Sequence, residues 1–475
     1  MMTLGKDKKN ILHLTLGPVL FAAALLLLRQ HLPFSAAVAL GAIAWMAYWW
    51  ILLPVEPGVT AFIPIIVNAI FGIVPMPDLM SKYITDVFYL LLGANLLAIS
   101  WEVTGLDRRL ALKSLYLIGT SLKQQVVVWF IVSVLLSTFL PNIVVCAMLS
   151  LIAASMLRYV MDEDFAKSKA GVAILLAIVW GVGIGAIGTP LGGAMNLVAV
   201  DYIQNLSGAE FLYTAWIVRM LPFLIVLSAV GVIYLLLIIP GKTRLEGSKE
   251  YFRGLYRELP PMSKNEKISM VFFFIAVALS FSRELYASIL PELKPAVSFL
   301  ICGMATFLVR KQDGKPLLDW KEAQKKILWG MIFMLGGGLA IGFMIAESGA
   351  AGVIGSILSD MELTGDFIVI LAIVTITMLL SEISSNTTSA AITVPIVISV
   401  TGAMGRNPIP YIFITIAAFN CAYMLPTAVR AIPIGYGVTP GVMFKKGVAL
   451  FAASVLAVSA LGYLLLKLWP LFSVV

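Results

Sequence analysis

The residues best able to do chemistry in this chain lie in apolar surroundings. Ser384-Ser385-Asn386-Thr387-Thr388 sits in the middle of one apolar block, 367–402, and Pro141-Asn142 in the middle of another, 124–158. Amides and hydroxyls at such positions are expensive to bury without partners. They can hydrogen-bond an anion or ligate a cation. Two further stretches interrupt apolar runs with proline and glycine: Gly188-Thr189-Pro190-Leu191-Gly192-Gly193-Ala194-Met195-Asn196 and Pro426-Thr427-Ala428-Val429-Arg430-Ala431-Ile432-Pro433. Such breaks free backbone carbonyls, which take cations, and helix N-termini, which take anions. Arg430 lies inside the second break, where a guanidinium must be paired and can grip a carboxylate as a bidentate fork. Glu102, Glu347 and Glu382 are open to two readings, proton or cation carriers on one side and paired or hydrogen-bonded structural acids on the other.

Composition sets these residues in a membrane. The 475 residues are 60% hydrophobic and 12% charged, against about 25% charged in soluble proteins. Apolar runs of about 18 or more residues recur along the chain, the signature of spanning helices. The net charge of +8 does not indicate nucleic acid, because the Lys and Arg residues fall between apolar runs, as the positive-inside rule requires. Cys146, Cys302 and Cys421 are far apart within apolar segments, and His13 and His31 are the only histidines. That pattern argues against a disulfide framework, a His-based metal centre or a catalytic triad. Trp45, Trp49 and Trp50 are expected in an interfacial belt.

Expected spans are 11–28, 35–54, 59–76, 86–104, 213–239, 268–283, 291–309, 327–348 and 447–470, with broken segments at 171–200 and 409–437 and an amphipathic stretch at 107–123. The blocks 124–158 and 367–402 read as helix–turn–helix hairpins that return to their side of entry with their tips near the midplane, because polar backbone at membrane depth must be buried in protein or line a cavity. With the N-terminus cytoplasmic, this arrangement places Arg108, Arg109 and Lys113 inside, followed by Arg158, Lys167 and Lys169, the seven Lys/Arg between Lys242 and Lys267, and the six between Arg310 and Lys326. The outer loops 201–212 and 349–366 carry no Lys or Arg. Reading either hairpin as a single span reverses every later loop and puts basic loops outside, against the rule. The expected fold is therefore an all-α polytopic membrane protein of about eleven transmembrane helices plus two re-entrant hairpins.

A shift of 244 residues aligns two regions without gaps. Leu91 falls on Leu335, Gly93 on Gly337, Leu135-Leu136-Ser137 on Leu379-Leu380-Ser381, Asn142 on Asn386 and Ala147 on Ala391. The charge pattern sends the two hairpins in from opposite faces, so the repeat is inverted, an architecture shared by many secondary transporters. The expected organisation is scaffold helices 1–85, a first repeat 86–240, a cytoplasmic linker 241–267, scaffold helices 268–326 and a second repeat 327–475, with the C-terminus outside. Gly183-Ile184-Gly185-Ala186-Ile187-Gly188 matches a dinucleotide-binding pattern only formally. It lies in an apolar span, where close helix packing is the better account.

Several motifs resemble the divalent anion:sodium symporter family. Trp101-Glu102-Val103-Thr104-Gly105-Leu106-Asp107-Arg108-Arg109-Leu110-Ala111-Leu112 is similar to the end of that family's fourth helix. Ser385-Asn386-Thr387 resembles its Ser-Asn-Thr signature, and Cys421-Ala422-Tyr423-Met424-Leu425-Pro426 resembles the lead-in to its second broken helix. The resemblance implies a homodimer in the cell membrane with a scaffold and an elevator-like transport domain. It also implies transport of succinate-like dicarboxylates, citrate or sulfate, commonly by symport with sodium as coupling ion and with no other cofactor. Carried over by position, it implies anion contacts from Ser385, Asn386 and Thr387, with Asn142, Thr189, Pro190, Val429 and Arg430 around them. One sodium site is implied at Ser381, Ser384, Asn386 and the Ala428 carbonyl, and another at Ser137, Asn142 and the Gly188 backbone. The chain departs from the family in three places. The first tip reads Pro141-Asn142-Ile143 without hydroxyls, the first break reads Thr-Pro-Leu-Gly-Gly-Ala-Met-Asn, and Arg430 stands where consecutive prolines are usual. Arg430 can then restore a carboxylate grip or replace a sodium by its fixed charge, which points to sodium-independent anion exchange as the alternative. A channel would show rings of charges or carbonyls, a cation/proton antiporter would carry carboxylates within 188–196 and 426–433, and a membrane enzyme would need a catalytic constellation at depth.

Overall fold

The computed structural model describes residues 2–116, 119–161, 168–239, 243–311, 314–350 and 365–474. Lys167, Lys242 and most of the outer loop 349–366, whose charges entered the topology, lie outside the described residues. We number the helices of nine or more residues in chain order: α1 Met2–Leu28, α2 Phe34–Leu52, α3 Ile63–Phe71, α4 Asp86–Thr104, α5 Leu106–Leu115, α6 Leu122–Ser137, α7 Asn142–Val160, α8 Lys169–Gly185, α9 Ala194–Ser207, α10 Tyr213–Ile238, α11 Ser248–Arg257, α12 Lys264–Phe281, α13 Pro295–Leu308, α14 Trp329–Glu347, α15 Asp366–Ile383, α16 Asn386–Ala403, α17 Pro408–Asn420 and α18 Pro440–Leu468. Among the described residues, nine helical stretches are long and apolar enough to cross a bilayer, and shorter apolar helices fill the rest. The chain is an all-helical polytopic membrane protein.

The expected span 59–76 is not one helix. Pro57–Thr60 forms one turn, α3 follows, and Gly72 ends α3 in the left-handed conformation (φ 60°). Pro57 and Pro64 each stand at the start of a helix, where the missing N–H does no harm. The tryptophan belt also needs correction. Trp50 is 1% exposed, and its indole donates to the Pro57 carbonyl at 3.1 Å, so it belongs to the core. Trp49 donates to the His13 carbonyl at 3.2 Å and ties α1 to α2.

Glycine sets the closest helix approaches, as expected where apolar lipid removes the hydrophobic drive for helix association. A Cβ on Gly185 would lie 2.3 Å from the Val134 carbonyl oxygen, and one on Gly181 would lie 2.6 Å from that of Phe130. The glycines of the formal dinucleotide pattern are thus packing positions: Gly185 lies against α6, Gly188 against Thr138 just beyond it, and Gly183 against the Asn420 carbonyl, 3.1 Å from where its Cβ would stand. Gly93 and Gly303 bring α4 and α13 together in the same way, a Cβ on Gly303 meeting the Gly93 carbonyl at 3.0 Å.

Both predicted hairpins form. The α6–α7 pair turns at 138–141 and the α15–α16 pair at Ser384 and Ser385. Both predicted breaks form too. One is a 3-10 turn, Pro190–Gly192, between α8 and α9. The other is an extended stretch after Asn420 that ends in a 3-10 turn, Ala428–Ala431. At 1.5 Å per residue the hairpin arms are about 24–29 Å long, more than half of the ~30 Å hydrocarbon core. Tips at the midplane therefore require tilted arms or bases standing in the headgroup layer.

Candidate binding site

The second hairpin and the second break satisfy one another's backbone. Ser385 caps α16, its hydroxyl accepting from the Thr388 N–H at 3.0 Å and lying 2.9 Å from the Thr388 hydroxyl. Ser384 is extended, and its hydroxyl donates to the Leu380 carbonyl at 2.6 Å. Facing this turn, α17 stops at Asn420, and the N–H groups of Tyr423, Met424 and Leu425 are left without helical partners. The Glu382 carboxylate takes all three, accepting from Met424 at 3.0 and 2.9 Å, from Leu425 at 3.0 Å and from Tyr423. Glu382 therefore acts as a cap supplied from another helix.

Arg430 takes the opposite pole. Its Nε donates to the Leu425 carbonyl at 2.8 Å. Its Nη2 donates to the carbonyls of Ser381 at 2.5 Å, Glu382 at 3.2 Å and Ser384 at 3.4 Å, and to the Thr427 hydroxyl. Arg430 Nε lies 3.9 Å from Glu382 Oε2, with the two side chains 2% and 1% exposed. Ala428, beside them, is held at φ 47°, a conformation non-glycine residues rarely adopt.

The first half repeats part of this pattern. Ser137 Oγ donates to the Val182 carbonyl at 2.8 Å, as Ser381 Oγ does to that of Phe419 at 2.9 Å. Thr189 Oγ1 donates to the Thr138 carbonyl at 2.5 Å, as Thr427 Oγ1 does to that of Glu382 at 2.9 Å. Ser137 and Ser381, and likewise Thr138 and Glu382, are 244 positions apart, so the offset read from the sequence recurs in contacts. The charges do not recur. Thr138 stands where the second half has Glu382, and its hydroxyl contacts the carbonyls of Val134 and Gly185 at 2.9 and 3.1 Å. Asn196 fastens the first break instead, its amide donating to Ala186 at 2.7 Å and to Thr189 at 2.9 Å. The halves interlock where Asn420 donates to the Asn196 side-chain oxygen at 3.3 Å and Trp180 to the Tyr423 carbonyl at 3.2 Å.

The residues singled out in the sequence are distributed as follows. Asn386 is 6% exposed, and its Oδ1 is buried without a hydrogen-bond partner. Thr387, Val429 and Thr189 are buried, as is Pro190. Asn142 is half-buried at the first position of α7, behind Pro141, which provides no side-chain cap. Gly188 abuts Thr138, where a Cβ would lie 2.6 Å from its hydroxyl oxygen. Ser381 and Ser384 direct their carbonyls at Arg430. Glu102 is paired with Lys326 at 2.7 Å, and Glu347 lines a cavity of about 490 Å³ with Lys82 and Asp201. Sequence reasoning missed Thr138, Asn420 and the role of Thr427. For Thr427 a signal existed, since a threonine adjoins proline in both breaks.

Two cavities approach the first hairpin from the side of the basic loops. One, of about 840 Å³, runs along α7 from Ser155 to Val144 past Glu102, Asp107 and Arg108. A smaller one, of about 30 Å³, continues to Pro141 between Asn95, Asp107 and Lys326. On another side a cavity of about 350 Å³, lined by Asp86, Glu210 and Lys294, reaches Pro190.

Two hairpin tips facing two interrupted helices inside a polytopic helical bundle define a transporter of the secondary class, not an enzyme. The sequence profile described as "Citrate transporter" matches residues 47–418, and the chain belongs to that family. It is 29% identical over 445 residues to the sodium-dependent dicarboxylate transporter SdcS of Staphylococcus saprophyticus, covering 90% of this chain and 86% of that protein. It is 27% identical to SdcS of Staphylococcus aureus, with 90% and 85% covered. Among solved structures, its fold is similar to the YdaH transporter of Alcanivorax borkumensis, with a TM-score of 0.53 at 12% identity over 83% of this chain and 88% of that one. MtrF of Neisseria gonorrhoeae also aligns at 0.53, with 15% identity over 81% and 82%.

Proposed function

We propose that this chain carries a small di- or tricarboxylate anion across the cytoplasmic membrane by elevator-type alternating access, with the anion held at the hairpin tips. The observation that carries the reading is Asn386, whose buried amide oxygen has no partner at a tip shared with Ser385 and Thr387. The NH₂ of this amide offers two N–H donors to a carboxylate, whereas its unpartnered Oδ1 is an acceptor, which a cation or a donor group bound alongside the anion would satisfy. Ser385, Thr387, Asn142, Thr189, Pro190 and Val429 complete the proposed contact set. The N-terminus is cytoplasmic and the working unit is a homodimer, which crosslinking in native membranes tests.

Two coupling modes fit this architecture. Sodium symport is named for the staphylococcal relatives, and in this chain it would use Ser137, Asn142 and Gly188. Exchange of one anion for another is favoured by Arg430, because the carbonyls of Ser381 and Ser384 are already engaged by its guanidinium. Uptake of labelled succinate, citrate and sulfate into proteoliposomes, with and without sodium and with and without internal anion, separates the modes. Exchange predicts uptake that needs internal anion and ignores sodium. The absence of uptake for all three anions refutes the carrier reading.

A further inference from the structure

The geometry points to Arg430 as a tethered cation: its guanidinium fills an oxygen cage built by the second hairpin and the second break, and removing it opens a site for a free monovalent cation. The inference deepens the carrier reading above and rests on it for its transport arm only.

The first observation is the crowding of oxygen around a single nitrogen. Nη2 carries two hydrogens, yet four oxygens lie within 3.4 Å of it: the carbonyls of Ser381, Glu382 and Ser384, and the Thr427 hydroxyl. Two hydrogens cannot serve four acceptors with good geometry. A shell of carbonyl and hydroxyl oxygens converging on one point is what unwound helices offer a small cation.

The second observation is charge. A guanidinium buried to 2% exposure needs a counter-charge, and Glu382 supplies it from 3.9 Å. Glu382 is itself held by the N–H groups of Tyr423, Met424 and Leu425, so it stays in place whether or not Arg430 is there. Truncating Arg430 therefore leaves a negative charge, three carbonyls and a hydroxyl around an empty volume. That combination suits sodium or free guanidinium and rejects a bulky cation.

The third observation is the contrast between halves. At the position matching Glu382 the first half has Thr138, whose hydroxyl is bonded to Val134 and Gly185. Among the described residues, the built-in ion pair at this position is found in the second half.

The test compares wild type with Arg430→Ala, Arg430→Gln and Arg430→Lys, all purified in guanidinium-containing buffer and exchanged into choline, sodium or guanidinium salts. Two readouts are taken: melting temperature in detergent, and counterflow of a labelled dicarboxylate. Arg430→Ala is expected to melt higher in sodium or guanidinium than in choline, by more than the wild type does. Its counterflow is lost in choline, because the buried Glu382 charge is left unpaired, and recovers in sodium or guanidinium. Arg430→Lys, which keeps a tethered charge, needs neither ion. A melting response in Arg430→Ala and Arg430→Gln no larger than in the wild type overturns the inference. So does failure of both variants to fold in every salt, since a cage vacated by a cation should accept one. If the wild type moves no carboxylate, the carrier reading fails while the melting arm still decides the cage.

Discussion

Replacing Glu382 by glutamine exchanges one carboxylate oxygen for an amide NH₂ and removes one charge. In the wild type, Oε1 accepts from Tyr423 and Met424, and Oε2 from Met424 and Leu425. Whichever way the amide is turned, one end now points donors at donors. At least one buried N–H loses its acceptor, and the others lose a charged one. A hydrogen bond to a charged group contributes about 1.5–3 kcal/mol. Arg430 also loses the carboxylate 3.9 Å away, and stranding one member of a buried pair costs about 3–5 kcal/mol. The two effects share partners and do not add in full, so roughly 4 kcal/mol is the expected loss, a large fraction of an ordinary domain's 5–15 kcal/mol. Chemical denaturation in detergent micelles measures it directly. Thr138→Val, at the matching position of the first half, removes only neutral contacts and should lose about 1 kcal/mol. A Glu382→Gln protein within about 1 kcal/mol of wild type would refute the claim that this carboxylate holds the break.

Asn386→Ala removes the amide proposed to meet the anion. If that contact is a charge-assisted bond, affinity falls about 10- to 100-fold, measured as the KM for uptake; an unchanged KM would dissociate Asn386 from the anion. Gly185→Ala forces a Cβ to within 2.3 Å of the Val134 carbonyl and should destabilise by about 1–3 kcal/mol. Gly402→Ala, with open space around it, should fall within about 0.5 kcal/mol of wild type, and equal melting of the two variants would contradict the packing of α6 on α8. In the first turn of α12, ahead of the expected span 268–283, burial raises the Glu266 carboxyl, but the Arg109 guanidinium 2.5 Å away and the Ser263 cap outweigh it and hold the group below the usual carboxylate range. A carboxyl depressed in the folded state contributes stability that is fully present above its unfolded value, about 4.3, and is lost as pH falls through the folded one. Melting temperature followed from pH 6 downward should drop more steeply below about pH 4.3 in wild type than in Glu266→Gln; parallel curves would show that the pair contributes nothing.

Much of the architecture was legible because a bilayer leaves few options. Apolar length announces spans. Polar residues within apolar blocks announce a turn, and Ser137 with Asn142, like Ser381 with Asn386 at the offset of 244, flanks a helix–helix corner. The short helices at 57–71 were misread as one span because proline at a helix start and glycine at a helix end are compatible with an apolar run when only hydropathy is read. Trp50 was misplaced because its amphipathic ring suits an interface as well as a core, and only the Pro57 carbonyl beside it decides between them.

Asn142 and Asn386 show where the sequence stops. Residue type and spacing alone determined the membrane class, the two hairpins, the two breaks and the polar character of the second tip, because these depend on local composition and on period. What Glu382 and Arg430 do was decided by the tertiary structure. One is a charge in an apolar helix and the other a charge in a loop 48 residues later. Only the packing of hairpin against break brings the carboxylate onto three orphaned N–H groups and the guanidinium into the shell of carbonyls that a sodium ion was expected to occupy. Hydrogen bonds act over about 3 Å, and no pattern along the chain specifies which distant backbone groups will lie that close.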